Sequence, residues 1–455
     1  MKKIKWFCSI GLCSIFLFFA NFAQGENAPL AQEEVERFSR ALAEVKEFYV
    51  HPLTDQVILE NAMKGMLEGL DPHSNYLNEE EYKALMESTE GSFAGLGIEL
   101  TVEFGLIKVV TPLDDGPAYH AGIKPGDYIA EINGKPVGDM KLDKAVALMR
   151  GAKSTDVSLT ILRKNQMEPL KFTLTRDIIN VASVKNKLFD EHYGYIRIIQ
   201  FQEKTADDVI AALITLQKES KENLKGLVLD LRNNPGGLLD SAVKVSDTFI
   251  DGTLKNAFDN KIVFTKGRVP GADMTAYATS GDKISGAPMV VLINEGSASA
   301  AEIVAGALQD YHRAIIVGKT SFGKGSVQTV LPLDKTHAIK LTTALYYTPA
   351  GREIQDKGIV PDIMVDALKM ANDNPAAVAL TPLKETDLRA HLVGANEKPQ
   401  DIAPQDVVDK QIAKSDKTPE LAREDYQLYE ALNILKTMQI AQRVEILTVS
   451  DTHAQ

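Results

Sequence analysis

Two serines, Ser297 and Ser299, stand in the run Asn294-Glu295-Gly296-Ser297-Ala298-Ser299-Ala300-Ala301-Glu302. An apolar stretch over 289–293 precedes this run of small residues, as in a turn from a strand into a helix. A serine so placed sits at a helix N-terminus, where backbone N–H groups and the helix dipole favour an oxyanion. Ser299 with Glu302 also reads as an S-x-x-E capping box, a structural role worth about 1 kcal/mol. On these residues alone Ser297 is a rival nucleophile. Either serine needs a base, and none of the eight histidines has a convincing local signature. His312 and His337 are near in sequence but lie outside glycine-rich loops. The run Thr320-Ser321-Phe322-Gly323-Lys324-Gly325-Ser326-Val327-Gln328 offers a lysine between two glycines. A lysine is a base only when neutral, so desolvation must lower its pKa well below about 10.4. The flanking glycines let backbone crowd Lys324, and Gln328 can orient it by a hydrogen bond. A third loop, Asp230-Leu231-Arg232-Asn233-Asn234-Pro235-Gly236-Gly237-Leu238, can turn backbone N–H groups toward a ligand as oxyanion donors. Gly318-Lys319-Thr320 does not complete a phosphate loop, because Arg313 stands where that motif needs glycine.

The elements that must carry these loops alternate. Strands are expected over 193–199, 225–231, 289–293 and 314–317, and helices over 206–219, 241–249 and 300–309. Repeated strand-then-helix order predicts an α/β core with parallel strands. Ligands of such sheets bind beyond the carboxyl ends of the strands, where all three loops fall.

Residues 91–177 differ. Glycines 91, 95, 97 and 105 punctuate short β-rich runs. Gly116-Pro117-Ala118, Ala121-Gly122-Ile123, Gly126-Asp127 and Ile132-Asn133-Gly134 follow, then a helix over 142–150 and strands over 157–163 and 170–175. Together these motifs resemble a PDZ domain. Gly95-Leu96-Gly97-Ile98 matches the loop that, in PDZ domains, offers N–H groups to a peptide's terminal carboxylate, while the next strand pairs with the peptide. Arg150, ending the helix, is a candidate for holding the PDZ segment in an active position, though an ordinary solvated arginine is the simpler expectation.

The amino terminus has Lys2, Lys3 and Lys5, an apolar run from Trp6 to Ala20, and Ala23-Gln24-Gly25. This pattern reads as a secretory signal peptide cut after Gly25, the run being shorter than the roughly 20 residues of a membrane span. Cleavage would remove three lysines, no acid, and both cysteines, Cys8 and Cys13. An extracytoplasmic chain without thiol nucleophile, disulfide or Cys-ligated metal is therefore expected. No HExxH or other close ligand spacing joins the histidines, so no metal site and no cofactor is expected. With 50 Lys+Arg against 62 Asp+Glu, and a formal charge of −12, a nucleic-acid partner is not indicated. Residues 30–90 read as a packing pair of helices, with Phe38, Leu42 and Val45 on one face. Residues 370–420 read as linker and minor helix, and Leu428, Leu432 and Leu435 as a terminal helix packing either on the core or on another copy.

Taken in order, Leu231–Gly237, Gly296–Glu302, Gly323–Gln328, Tyr346-Tyr347-Thr348-Pro349-Ala350-Gly351-Arg352 and Gly358-Ile359-Val360-Pro361-Asp362-Ile363 resemble the carboxyl-terminal processing peptidases, or tail-specific proteases. Leu383-Lys384-Glu385-Thr386-Asp387-Leu388-Arg389 with His391-Leu392 resembles their Gram-negative members. The resemblance implies a Clp protease/crotonase-like α/β core with an inserted PDZ domain. It implies Ser299 as nucleophile, Lys324 as general base, Gln328 orienting the lysine, and an oxyanion hole of Ala300 and Gly237 N–H groups. Ala301 departs from the serine frequent in the family. The expected division is 1–25 signal peptide, 26–90 helical region, 91–177 PDZ domain, 178–367 protease core and 368–455 linker and helical region. The implied substrates are proteins with apolar C-terminal tails, cut in the periplasm of a Gram-negative bacterium, with self-assembly through terminal helices and an adaptor in some members. The competing readings are an inactive PDZ scaffold and a crotonase-like acyl-CoA enzyme.

Overall fold

The computed structural model describes residues 30–103, 105–113, 116–138, 140–220, 223–253, 257–279, 281–367, 384–388 and 420–452, with backbone only at 387 and 442–452. The expected signal peptide and most of the linker over 370–420 lie outside the described residues. The chain divides into two compact units, Met1–Asn61 and Ala62–Gln455.

In the first unit the helix Gln32–Phe48 opens with Glu33 and Glu34, which suit the positive end of its dipole. It buries no residue, and Phe38 and Val45 are exposed. The 3.6-residue period thus marks a helix there, with no buried residue. The helix Asp55–Glu68 spans the boundary of the units.

In the second unit, the PDZ-like segment is an antiparallel sheet ordered Ile98–Glu103, Leu106–Pro112, Tyr128–Ile132, Asp156–Leu162, Leu170–Thr175. Strict alternation along Asp156–Leu162 sends Val157, Leu159 and Ile161 into a core with Ile107, Val109, Ile129 and Met149. Asp127 of the Gly-Asp motif is buried against Arg163, whose Nε and Nη2 donate to its two oxygens at 2.8 Å each, so this motif is structural. Arg176 caps the helix Leu142–Met149, donating to the Met149 and Leu148 carbonyls at 2.9 Å each. The strand Ile98–Glu103 is an edge of this sheet.

The core sheet runs Val184–Phe189, Tyr193–Ile198, Gly226–Asp230, Met289–Ile293, Ile315–Gly318, Ile363–Met364. Its first pair is antiparallel and the others parallel, so the expected parallel sheet gains an antiparallel edge. Gly226–Asp230 and Met289–Ile293 are buried throughout because both faces are covered. Leu227, Leu229, Val291 and Ile293 meet the helices Thr205–Glu219, Leu239–Asp247 and Ala300–Asp310. Val228, Val290, Leu292 and Val317 meet Leu428, Ala431, Leu432 and Leu435 of the helix Tyr426–Thr452. That leucine stripe is therefore intramolecular core, which decides the choice its spacing left open.

A second, antiparallel sheet was not foreseen. Ala338–Tyr347 pairs with Asn75–Leu77, Lys261–Gly267 and Ser326–Pro332, and Thr275–Tyr277 joins at the edge. It carries Gln328 and Tyr346.

Candidate active site

The strands Gly226–Asp230, Met289–Ile293 and Ile315–Gly318 are neighbours and parallel, so the three loops that follow them meet at one end of the sheet. A cleft of about 450 Å³ opens there. Ser299, Ala300, Lys324, Gln328, Gly237 and Tyr346 all line it.

Ser299 caps the helix Ala300–Asp310 with φ +54° and ψ −114°. A non-glycine residue held there stores strain of about 1–3 kcal/mol, which the surroundings must impose. Part of that imposition is Glu302, whose Oε2 accepts Ser299 N–H at 2.7 Å, the carboxylate half of the expected capping box. Ser297 is wholly buried: its hydroxyl donates to the Leu231 carbonyl at 2.8 Å and accepts Asn294 N–H at 2.9 Å. It fastens two loops together and does not line the cleft. Neither His312 nor His337 lines it either; His337 bonds Asp334 and stacks on Tyr76.

Glu302 is completely buried and takes four hydrogen bonds. Ser321 Oγ (2.5 Å) and Gly323 N–H (2.8 Å) donate to Oε1; Ser299 N–H and Lys324 N–H (3.0 Å) share Oε2. Burial pushes its pKa up to about 7 against the pull of those four donors. The sequence signal for this hub was visible in S-x-x-E, but only its helix-capping half could be inferred.

The Gly-Lys-Gly loop is crowded by backbone. A Cβ on Gly325 would lie 2.5 Å from the Gln355 nitrogen. Desolvation lowers the Lys324 pKa, and the charge of Lys340 across the cleft lowers it further, while Glu385, Glu302 and Asp71 oppose this. The wholly buried Tyr346 donates its hydroxyl to the Lys324 carbonyl and lies beside Ser299. Among the described residues no hydrogen bond joins Ser299 Oγ or Gln328 to Lys324 Nζ. Gln328 Nε2 instead donates to Ser326 Oγ at 2.9 Å and reaches Thr342 Oγ1 at 3.5 Å. The expected Gln328–Lys324 bond is thus not made; a β-bulge between Val327 and Gln328 shifts the register at that side chain.

The Pro-Gly-Gly loop presses on the Ser299 turn. A Cβ on Gly236 would stand 2.7 Å from Ser299 Cβ, and one on Gly237 (φ +141°) 2.1 Å from the Phe201 carbonyl oxygen. Asn234, fully buried, secures the approach: its carbonyl accepts Ala298 N–H at 2.9 Å, and its Oδ1 accepts Gly236 N–H at 2.8 Å. Among the described residues, the Ala300 and Gly237 N–H groups have no protein partner. No group of three or more His, Cys, Asp or Glu among the described residues is arranged to hold a metal ion.

At the PDZ-like segment, Leu96 is buried in the core, and Gly97 has φ +68°. The N–H groups of Leu96 and Gly97 have no partner among the described residues. Ile98 begins the edge strand. Arg150 is not the ordinary solvated arginine expected. Its Nη1 donates to Glu87 Oε2 at 2.8 Å, and its guanidinium lies 4.6 Å from the centre of the Phe93 ring. Glu87 belongs to the helix Glu79–Glu90, whose Leu85, Ser88 and Thr89 line the same cleft as Ser299.

One cleft thus holds a serine on a strained turn, a desolvated lysine and, among the described residues, two N–H groups without a protein partner. Residues 192–365 match peptidase family S41, and residues 108–163 match a PDZ domain. A carboxy-terminal-processing protease of Bartonella bacilliformis is 43% identical over 96% of each chain. The carboxy-terminal processing protease CtpA of Bacillus subtilis is 36% identical over 75% of this chain and 71% of its own. Among solved structures, a photosystem II D1 C-terminal processing protease is 30% identical over 72% of this chain and 86% of its own, with a TM-score of 0.42. The chain belongs to the carboxy-terminal processing proteases of peptidase family S41.

Proposed function

We propose that this peptidase cuts protein substrates near their C-terminal tails through a Ser299–Lys324 dyad. Neutral Lys324 takes the proton of Ser299 Oγ as that oxygen attacks the peptide carbonyl. The tetrahedral oxyanion lies between the Ala300 and Gly237 N–H groups. Collapse expels the amine, which receives the proton from Lys324, and water then hydrolyses the acyl-enzyme with Lys324 again as base. Gln328, lining the same cleft, would orient Lys324 by accepting a hydrogen bond from its Nζ at Oε1. The observation that carries this reading is the single cleft shared by Ser299, a desolvated Lys324 and two unpartnered N–H groups.

The PDZ-like segment would hold the substrate's terminal carboxylate at the Gly95–Ile98 loop and pair the tail with the edge strand Ile98–Glu103. Apolar tails fit, since backbone pairing supplies affinity and alternate pockets choose side chains. The amino-terminal pattern supports export to the periplasm with signal cleavage, and the resemblance supports at least a dimer and an adaptor protein.

Ser299→Ala and Lys324→Ala test the dyad. Each is expected to lose about 10³-fold or more in kcat on an apolar-tailed protein while remaining folded. Full activity in either variant sinks the dyad. Stoichiometric tail binding by the wild type, with no turnover, would favour the inactive scaffold instead.

A further inference from the structure

Residues 384–388 place a carboxylate beneath the loop that carries Lys324. Glu385 is fully buried, and its Oε1 and Oε2 lie 2.7 Å and 2.9 Å from His73 Nε2. Its Oε1 also accepts Gln355 Nε2 at 3.2 Å. Gln355, likewise fully buried, turns its own Oε1 to the N–H of Gly325 at 2.9 Å, one residue after Lys324. On the other side, Glu385 N–H donates to the Phe322 carbonyl at 3.2 Å, two residues before Lys324. His73 is held in turn by Asp71, whose Oδ1 accepts His73 N–H at 2.8 Å and Thr342 Oγ1 at 3.1 Å. A carboxylate taken wholly out of water needs a counter-charge and filled hydrogen bonds. His73 Nε2 sits against both oxygens, and Gln355 adds a further hydrogen bond.

We propose that Glu385 is a positioning residue of the peptidase reaction: paired with His73, it grips residues 322–325 from both sides and so aims Lys324. The inference rests on Lys324 being the general base. The C-terminal segment 384–388 then becomes a working part of the active site.

The same carboxylate acts on Lys324 electrostatically. The groups that face Lys324 are Lys340, which disfavours its charge, and Glu385, Glu302 and Asp71, which favour it. Removing the Glu385 charge therefore makes Lys324 easier to deprotonate, a change that a purely structural contact would not produce.

The test uses the full chain with Glu385→Gln, Glu385→Ala and His73→Gln, beside Lys324→Ala. It measures kcat and KM on a tailed protein from about pH 6 to 10, with melting temperatures. Expected are a kcat loss of about tenfold or more with KM within about twofold, and an activity rise displaced to lower pH in Glu385→Gln. Wild-type kcat and an unmoved profile in both Glu385 variants, with Lys324→Ala inactive, overturn the positioning role alone. So does a kcat loss that only follows the unfolded fraction. An active Lys324→Ala overturns the dyad, and the premise of this inference with it.

Discussion

Lys324 N–H donates to Glu302 Oε2 at 3.0 Å, on the oxygen that also accepts Ser299 N–H at 2.7 Å. One buried carboxylate thus fixes the backbone of both members of the proposed dyad, although they come from loops after different strands. Glu302→Gln keeps the shape but turns an N–H₂ toward donors. One or more of the four donors then loses its acceptor, at about 1–3 kcal/mol for each buried group left unpaired. The expected outcome is a lower melting temperature and a kcat reduced by about 10²-fold, with KM little changed. Steady-state kinetics with thermal unfolding check it; a variant with unimpaired kcat would show that the shared oxygen does not position the dyad.

The pH dependence should follow Lys324. Burial and the Lys340 charge lower its pKa, so the neutral base appears at lower pH than for a free lysine. Activity should rise as pH rises through that lowered value. Lys340→Met removes a positive charge, which raises the Lys324 pKa and moves the rise to higher pH, leaving less activity near neutrality. This is the reverse of the shift expected for Glu385→Gln. A kcat/KM profile that stays in place in Lys340→Met would separate the two lysines.

Gly237 has little room to change. Its φ of +141° disfavours any side chain, and a Cβ would meet the Phe201 carbonyl oxygen at 2.1 Å. Gly237→Ala must displace the Pro-Gly-Gly loop, and with it an N–H proposed to hold the oxyanion. Losing one such donor costs about 10²–10³ in kcat. A peptide aldehyde, which forms a hemiacetal with the serine, should bind correspondingly less well to the variant than a plain peptide does. Equal weakening of both ligands would point to collapse of the cleft instead.

Much of this was legible in the sequence because it is local. Strand-to-helix alternation located the core sheet, and the residues after three apolar strands located the cleft. Ser299 and Ser297 were not separable, because what divides them is tertiary: the Ser297 hydroxyl is engaged by the Leu231 carbonyl from a different loop. The antiparallel sheet was missed because Ala338–Tyr347 has no clean two-residue burial period; most of its positions are half-buried. Glu385 lies 312 residues from His73. No spacing rule reaches that far, and only the resemblance of the segment around it to Gram-negative family members marked it at all. Gln328 shows the converse: its motif is local and its side chain lines the cleft, yet its hydrogen bonds are to Ser326 and Thr342, next to a bulge that no motif foretells.

Arg150 makes the last prediction. It reaches from the end of the PDZ helix to Glu87 at 2.8 Å and over the Phe93 ring, and it is partly exposed. A solvent-accessible ion pair contributes about 0–1 kcal/mol and a cation–π contact about 0.5–1 kcal/mol. Arg150→Ala should therefore lower the melting temperature by only a few degrees. Its effect on catalysis should be larger, because Glu87 lies on the helix whose Leu85, Ser88 and Thr89 wall the cleft. With the tie cut, the tail binding proposed for the PDZ segment would no longer bear on that wall. Turnover of a tailed protein should fall, while cleavage of a short peptide too small to reach the PDZ loop should keep its rate. Measuring both substrates on one preparation distinguishes this from general damage: equal loss on the two would place Arg150 in the stability of the cleft, and no loss on either would make its ion pair an ordinary surface contact.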